Sequence, residues 1–521
     1  MSEKGHTSRI RLALSMLMSG AGIFCSRIFG LLRDVVMTWY WGGSGAAQAA
    51  FHLAFSIPNM FRMLFGEGAF TAAFVPSLAG KLETGSRDEA WRFAERVITL
   101  QALVLAGMVV LVSIVSLLIG LLLPAAVREH IVLTFRILPL LMPYLLLICI
   151  AGCFGCILNA LRRFVFPSLN PVLFNIVQIG AVLLISRFWK NDEPMALYCF
   201  CGSVLLAGVV QMLSLMFLCR LQGFVFHFRL DVKNPDVLDV CRKMVPGIIG
   251  AGTNQINQCI DKLMVGALGA LAVSSLNYSH HLVHLPVGIF GVAIGNVCLT
   301  ELSRAASRKD MEVLSKSLTF SLQSVLFLSI PCAVIFYLFA EPFIRLLFFR
   351  GAFNEEAVKA CAYALKCYIL GIPAYCMMKV ATTPHHASGD TRTPMRVGIA
   401  CVVLNFIMNI SLIWSMRQGG LALSTSISSW VQVIMLLFLI CRKIPQWRPG
   451  AAVLSGLLCL CFALLAGFAS LKISAIIAPE QHFAGFRLYF MQVLLGGGIG
   501  GLIYLALAGI PAIIVKRKRR G

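Results

Sequence analysis

Acidic residues are scarce in this sequence: 22 Asp and Glu in 521 residues, against 44 Lys and Arg. Charged residues of both signs reach only 13% of the chain, where a soluble globular domain carries about 25%. No HExxH, GxSxG, P-loop or DDxxD-type acidic cluster occurs. Metal-assisted hydrolysis, serine-type acyl transfer and acid-cluster chemistry on prenyl diphosphates therefore lack their usual residues. Without an ATPase motif, any pumping must draw on an ion gradient, the membrane potential or substrate consumption. The alternating segments of about ten residues that a membrane barrel needs are also missing. No cleavable leader is apparent, because Met1 to Arg11 is polar and basic and the apolar stretch after it is too long and carries charges. Most of the 18 cysteines sit inside apolar runs, and the Cys153/Cys156 pair has no further ligand nearby, so these read as small core residues. His280, His281 and His284 lie too far from Glu301 to make a metal site. No metal and no cofactor are expected.

Hydrophobic residues are abundant instead, at 59%. Apolar runs recur along the whole length, each near the roughly 20 residues needed to cross a bilayer. In lipid, backbone polar groups must be satisfied within the segment, so the runs predict helices. The expectation is an all-α integral membrane protein with fourteen spans near 12–40, 49–80, 97–124, 131–160, 168–187, 195–219, 244–268, 275–303, 317–340, 357–386, 395–416, 419–441, 450–471 and 488–515. Of the 44 Lys and Arg, 28 fall on one alternating set of span ends and 9 on the other. Basic loops stay on the cytoplasmic side, which puts both termini there. The C-terminal run Lys516 to Arg520 then reads as an anchor near anionic membrane lipid, and nucleic acid is not an expected partner.

The chain carries a weak internal repeat. IPNMFRMLFGEGAFTAAFVPSL (57–78) parallels LPVGIFGVAIGNVCLTEL (285–302), and the Pro143 region parallels the Pro373 region, at an offset of about 230 residues. This predicts an N-lobe over 1–220, an amphipathic surface linker over 221–243, a C-lobe over 244–441, and two extra helices with a basic tail over 442–521.

The remaining 7 basic residues lie inside spans, including Arg27, Arg33, Arg62, Lys262 and Lys379. A charge at the centre of a membrane helix costs roughly 2.5–3.5 kcal/mol even on lenient scales, so these side chains should face a polar cavity. Arg27 lies about 22 Å into its span at 1.5 Å per residue. Arg27 and Asp34 are seven apart and share a helix face. Pro58, Gly66 and Gly68 mark the second span as a broken helix, with Glu67 between the glycines. Three cations against Asp34 and Glu67 leave net positive charge, which favours an anionic substrate. Arginine's planar fork suits phosphate. Lys262 adjoins Asp261 and reads as a local pair; Lys379 is a candidate cavity lysine and His281 a candidate titratable group.

SRIFGLLRDVV (26–36), followed by the 57–78 segment, closely resembles the MurJ (MviN) family of lipid II flippases. GCILNALRRFVFPSLNPVLFNI (155–176), VPGIIGAGTNQINQCIDKLM (245–264) and SGDTRTPMRV (388–397) extend the resemblance in order over roughly residues 10–440. It implies two six-helix lobes plus two helices that supply a groove for a polyprenyl tail. It further implies alternating-access movement of an undecaprenyl-diphosphate-linked peptidoglycan precursor from the cytoplasmic to the periplasmic leaflet. By the same resemblance, Arg27, Arg33, Arg62, Ser26, Asn59 and Lys379 bind substrate, while Asp34, Glu67 and His281 are gating or charge partners. The chain would act without enzymatic chemistry, as a monomer, beside the cell-wall synthesis machinery. It departs from the family at Ala49, where an aspartate is common, and at His280-His281, where Asp-Arg is usual. A flippase for another polyprenyl-diphosphate glycan and an ion-coupled drug antiporter are the alternatives.

Overall fold

The computed structural model describes residues 2–124, 127–189, 192–288, 302, 311–388, 390–444, 446–477 and 485–518, with side chains at 2–17, 19, 67, 246–247, 249–251, 253–254, 387 and 509–518 outside that description. The described residues are helical and contain no strand. Among the described residues, ten helices are long and apolar enough to cross a membrane by length and composition. Large apolar side chains such as Leu111, Leu121 and Trp414 point outward on several of them, as lipid-facing residues must. The chain is a multi-pass membrane protein. The helices that carry Arg27, Arg33, Arg62 and Lys262 are not among the ten.

Two compact units are present, Met1–Val273 and Ser274–Gly521. The division differs from the expected linker at 221–243, since the seventh span packs on helices of the first unit. The first unit contains α1 (Ser2–Trp41), α2 (Ala46–Arg62), a π segment (Met63–Gly68), α3 (Ala69–Thr84), α4 (Arg87–Leu122), α5 (Glu129–Leu141), α6 (Pro143–Ala160), α7 (Val165–Phe188), α8 (Glu193–Leu221) and α9 (Pro235–Gly266). Side-chain caps fix several starts: Ser86 Oγ accepts from the Glu89 amide at 3.2 Å, and Asp192 Oδ1 from the Met195 amide at 3.0 Å. α1 lies close along α7, where a Cβ on Gly22 would meet Ser168 Oγ at 2.6 Å.

The second span is widened rather than broken. Pro58 sits inside α2 without ending it, and the irregularity falls on the π segment. Such a bulge misaligns backbone carbonyls, and the Phe65 carbonyl accepts instead from Gln101 Nε2 on α4 at 2.8 Å. The glycines there serve close approach. A Cβ on Gly152 of α6 would lie 3.1 Å from the Gly66 carbonyl oxygen, so the two backbones touch.

The link between α8 and α9 is an extended strap. Phe224 is buried with Trp91 and Phe154. Buried Glu95 takes both Arg229 Nε and His227 Nδ1 at 2.8 Å, and Lys81 pairs with Asp236 at 2.7 Å. A strap held this way can order without regular backbone pairing, because its ends are pinned by side chains.

The second unit contains the rest of α10 (Ala270–Pro286), α11 (Met311–Leu338), α12 (Ala340–Phe348), α13 (Glu355–Ile369), α14 (Ile372–Ala387), α15 (Arg392–Met416), α16 (Gln418–Lys443), α17 (Gly450–Ile477) and α18 (Gly485–Lys518). Arg345 bridges Glu341 and Glu355 at 2.8 and 2.6 Å and lies over the Tyr489 ring of α18. The guanidinium holds the Glu355 carboxyl below its ordinary range. Trp447 Nε1 donates to Thr319 and Gln323 Nε2 to Ser455, which fasten α11 to the α16–α17 corner and to α17.

Candidate functional site

The first unit encloses a cavity of about 340 Å³ between α1, α2, α6, α7 and α8, with the π segment at its wall. Arg33, Asn59 and Arg62 line it. Arg33 places Nε and Nη2 on one oxygen of Asp34, at 3.1 and 2.7 Å. Its guanidinium lies 5.9 Å from the centre of the Phe174 ring. Asp34, 2% exposed at its side chain, pairs with its neighbour in sequence. Arg62 Nε donates to Asn59 Oδ1 at 3.0 Å. That oxygen is neutral, so this bond orients the guanidinium without cancelling its charge.

Ser26 contributes its carbonyl, which accepts from Asn175 Nδ2 at 3.2 Å. Arg27 is half-buried one residue on and does not line the cavity among the described residues. The side chain of Glu67 lies outside the described residues, as does Glu301. Lys379 and His281 belong to the second unit. Lys379 is half-buried on α14, and its carbonyl accepts from Thr382 and Thr383 at 3.1 and 2.8 Å. Beside His281, His280 and His284 approach to 3.0 Å between Nε2 atoms, against the ring of Tyr368. One nitrogen of that pair must donate and the other accept, so at least one imidazole is neutral.

Several lining residues were not singled out from sequence: Thr71, Asn159, Asn170, Asn175 and Gln211. Their signal was present as uncharged polar residues inside apolar runs. A second, larger groove of about 710 Å³ lies in the second unit. Leu326, Ile330 and Val334 of α11, Pro373 and Met377 of α14, Trp430 and Val433 of α16, and Val453, Leu457 and Leu464 of α17 line it. Of the two added helices, α17 forms a wall, while α18 packs behind it with Gly496 against Phe339.

An all-helical membrane chain with a cationic cavity of this kind has the fold of the MOP-superfamily transporters. A multidrug resistance MATE family transporter of that superfamily, in its inward-facing conformation, superposes with a TM-score of 0.66 at 14% identity, over 81% of this chain and 95% of that one. A family model described as "Lipid II flippase MurJ" matches residues 40–487, and the chain belongs to that family. It is a transporter rather than an enzyme. "Probable lipid II flippase MurJ" of Rhizobium tropici is 32% identical over 436 residues, covering 81% of this chain and 80% of that protein. The protein of the same description from Vibrio cholerae is 31% identical over 438 residues, 82% of each. The solved structure "Lipid II flippase MurJ, inward closed conformation" superposes with a TM-score of 0.78 at 25% identity, covering 96% of this chain and 99% of that one.

Proposed function

We propose that this chain moves lipid II, the undecaprenyl-diphosphate-linked peptidoglycan precursor, from the cytoplasmic to the periplasmic leaflet by alternating access, with the first-unit cavity as the headgroup site. The observation that carries this is the convergence of Arg33 and Arg62 on one cavity inside a membrane protein. Two planar forks there suit the paired phosphates of a diphosphate. Arg27 joins them from the half-buried face of α1; Lys379 is a further substrate-binding residue and His281 a gating or charge partner. Diphosphate binding offsets the repulsion between the cations and favours the occupied state's rocking motion. A cationic drug would need carboxylates on the wall, and among the described residues the lining has none.

The apolar groove of the second unit takes the polyprenyl tail. Its walls offer no charge to a hydrocarbon chain, and burying such a chain is favoured by about 25 cal/mol per Å². Leu457→Trp narrows the groove from an exposed wall position. It is expected to slow transport of full-length lipid II several-fold and to leave a short-chain analogue unaffected, measured in proteoliposomes. Equal slowing of both would remove the groove from the mechanism.

The finer assignments follow from the same reading. Fourteen spans in two lobes and a C-terminal pair sit in the bacterial inner membrane, both termini in the cytoplasm. The chain acts as a monomer beside the cell-wall synthesis machinery. Depleting this protein where it is the sole flippase should leave lipid II in the cytoplasmic leaflet. An unchanged leaflet distribution would point to a different lipid-linked glycan.

A further inference from the structure

The first-unit cavity has two walls of opposite hydrogen-bonding character. On α1 and α2, Arg33 and Arg62 present N–H donors. On α7 and α8 the amide nitrogens are already committed. Asn175 Nδ2 donates to the Ser26 and Pro171 carbonyls, both at 3.2 Å, and Gln211 Nε2 donates to the Asn170 carbonyl at 3.1 Å. Those contacts fix which way each amide points, because the flipped form would set oxygen against oxygen. The carbonyl oxygens remain. Gln211 is 2% exposed and its Oε1 has no hydrogen-bond partner among the described residues. Asn175 is also buried, and both of these bonds use its Nδ2 rather than Oδ1. Asn170 Oδ1, by contrast, is taken by Ser214 at 3.2 Å.

A buried acceptor left without a donor costs about 1–3 kcal/mol, so this wall gains most from a ligand that brings donors. Phosphate oxygens bring only acceptors and are disfavoured there. Sugar hydroxyls and N-acetyl N–H groups are donors. We propose that Asn175 and Gln211 form a carbohydrate subsite that reads hydroxyl or amide N–H donors on the sugar joined to the diphosphate, while Arg33 and Arg62 hold the diphosphate itself. The subsite rests on the flippase reading above and adds selectivity to it: the arginines accept any lipid diphosphate, and the amide wall prefers one that carries a glycan. A pocket that hydrogen-bonds a substrate group discriminates strongly against the analogue lacking it.

The test compares two ligands on the purified full-length protein in nanodiscs: lipid II, and undecaprenyl diphosphate, which has the same tail and diphosphate without sugars. Wild type should bind lipid II more tightly. Gln211→Leu should weaken lipid II about tenfold, the loss of one buried hydrogen bond, and leave undecaprenyl diphosphate unchanged. Asn175→Leu should do the same, whereas Arg62→Ala should weaken both ligands. Equal affinity of wild type for the two ligands, or equal loss of both in a folded Gln211→Leu variant, overturns the subsite. Thermal unfolding reports folding; should Gln211→Leu fail to fold, Gln211→Asn, which withdraws the acceptor by one carbon, is judged by the same criterion. Binding of neither ligand by wild type would instead sink the flippase reading.

Discussion

Arg62→Ala, carried as the sole copy, is expected to stop growth while the protein still inserts and accumulates. Arg62 sits on the cavity wall with its Nε held by Asn59, so its removal takes one guanidinium from the wall and leaves no packing gap of core size. The loss falls on the ligand. A charge-assisted hydrogen bond is worth about 1.5–3 kcal/mol, and two made by one fork correspond to a weakening of lipid II binding on the order of a hundredfold or more. Arg62→Lys should rescue poorly, since lysine has one charge but no fork and cannot keep both Asn59 and a phosphate. Arg33→Ala carries an added penalty, because it removes the guanidinium that sits 2.7 Å from the buried Asp34 carboxylate, and breaking a buried pair from one side costs about 3–5 kcal/mol. That variant should therefore lower stability as well as binding, and the contrast between the two substitutions separates ligand contact from scaffold. Unfolding temperature and lipid II affinity, measured on both, read the difference directly.

Gly152→Val should have the other large effect. The Cβ alone would lie 3.1 Å from the Gly66 carbonyl oxygen, and that oxygen belongs to backbone, which cannot swing aside. Two further methyl carbons push α6 away from the π segment. Overpacking of this kind costs about 1–3 kcal/mol. It also moves Gly66 and Arg62 together, because both sit at the same stretch of the second span. The expected result is a lower unfolding temperature and loss of transport. Gly180→Val on α7, where a Cβ meets nothing within 4 Å, should change neither. A Gly152→Val protein with wild-type stability and transport would show that the contact between α6 and the π segment has no role in shaping the cavity.

The membrane class was legible in the sequence because lipid imposes a severe rule on backbone and charge. The same rule made Arg33 and Arg62 conspicuous, since a costly residue inside an apolar run calls for a reason. Neutral amides cost less and blend into such runs, which is why Asn170, Asn175 and Gln211 gave no comparable signal although they line the same cavity. The pairing of Arg33 with Asp34 was also hidden. Helix periodicity favours partners three, four or seven residues apart, yet a long arginine can fold back onto its immediate neighbour. The widening at Met63–Gly68 escaped for a related reason: glycine and proline spacing marks a disturbance without saying whether the helix breaks or bulges. Gln101, from another helix, decides that by taking the Phe65 carbonyl. The boundary between units is a property of packing, and α9 follows its contacts with α3 rather than the linker that precedes it.

The most direct measurement is lipid II translocation in proteoliposomes containing only this protein, with outer-leaflet headgroups scored by their accessibility to a sugar-modifying enzyme. Wild type is expected to equilibrate or drive lipid II across the bilayer, and Arg62→Ala reconstituted at equal density to match protein-free vesicles. Translocation by Arg62→Ala at the wild-type rate would contradict the assignment of the first-unit cavity as the path of the diphosphate headgroup.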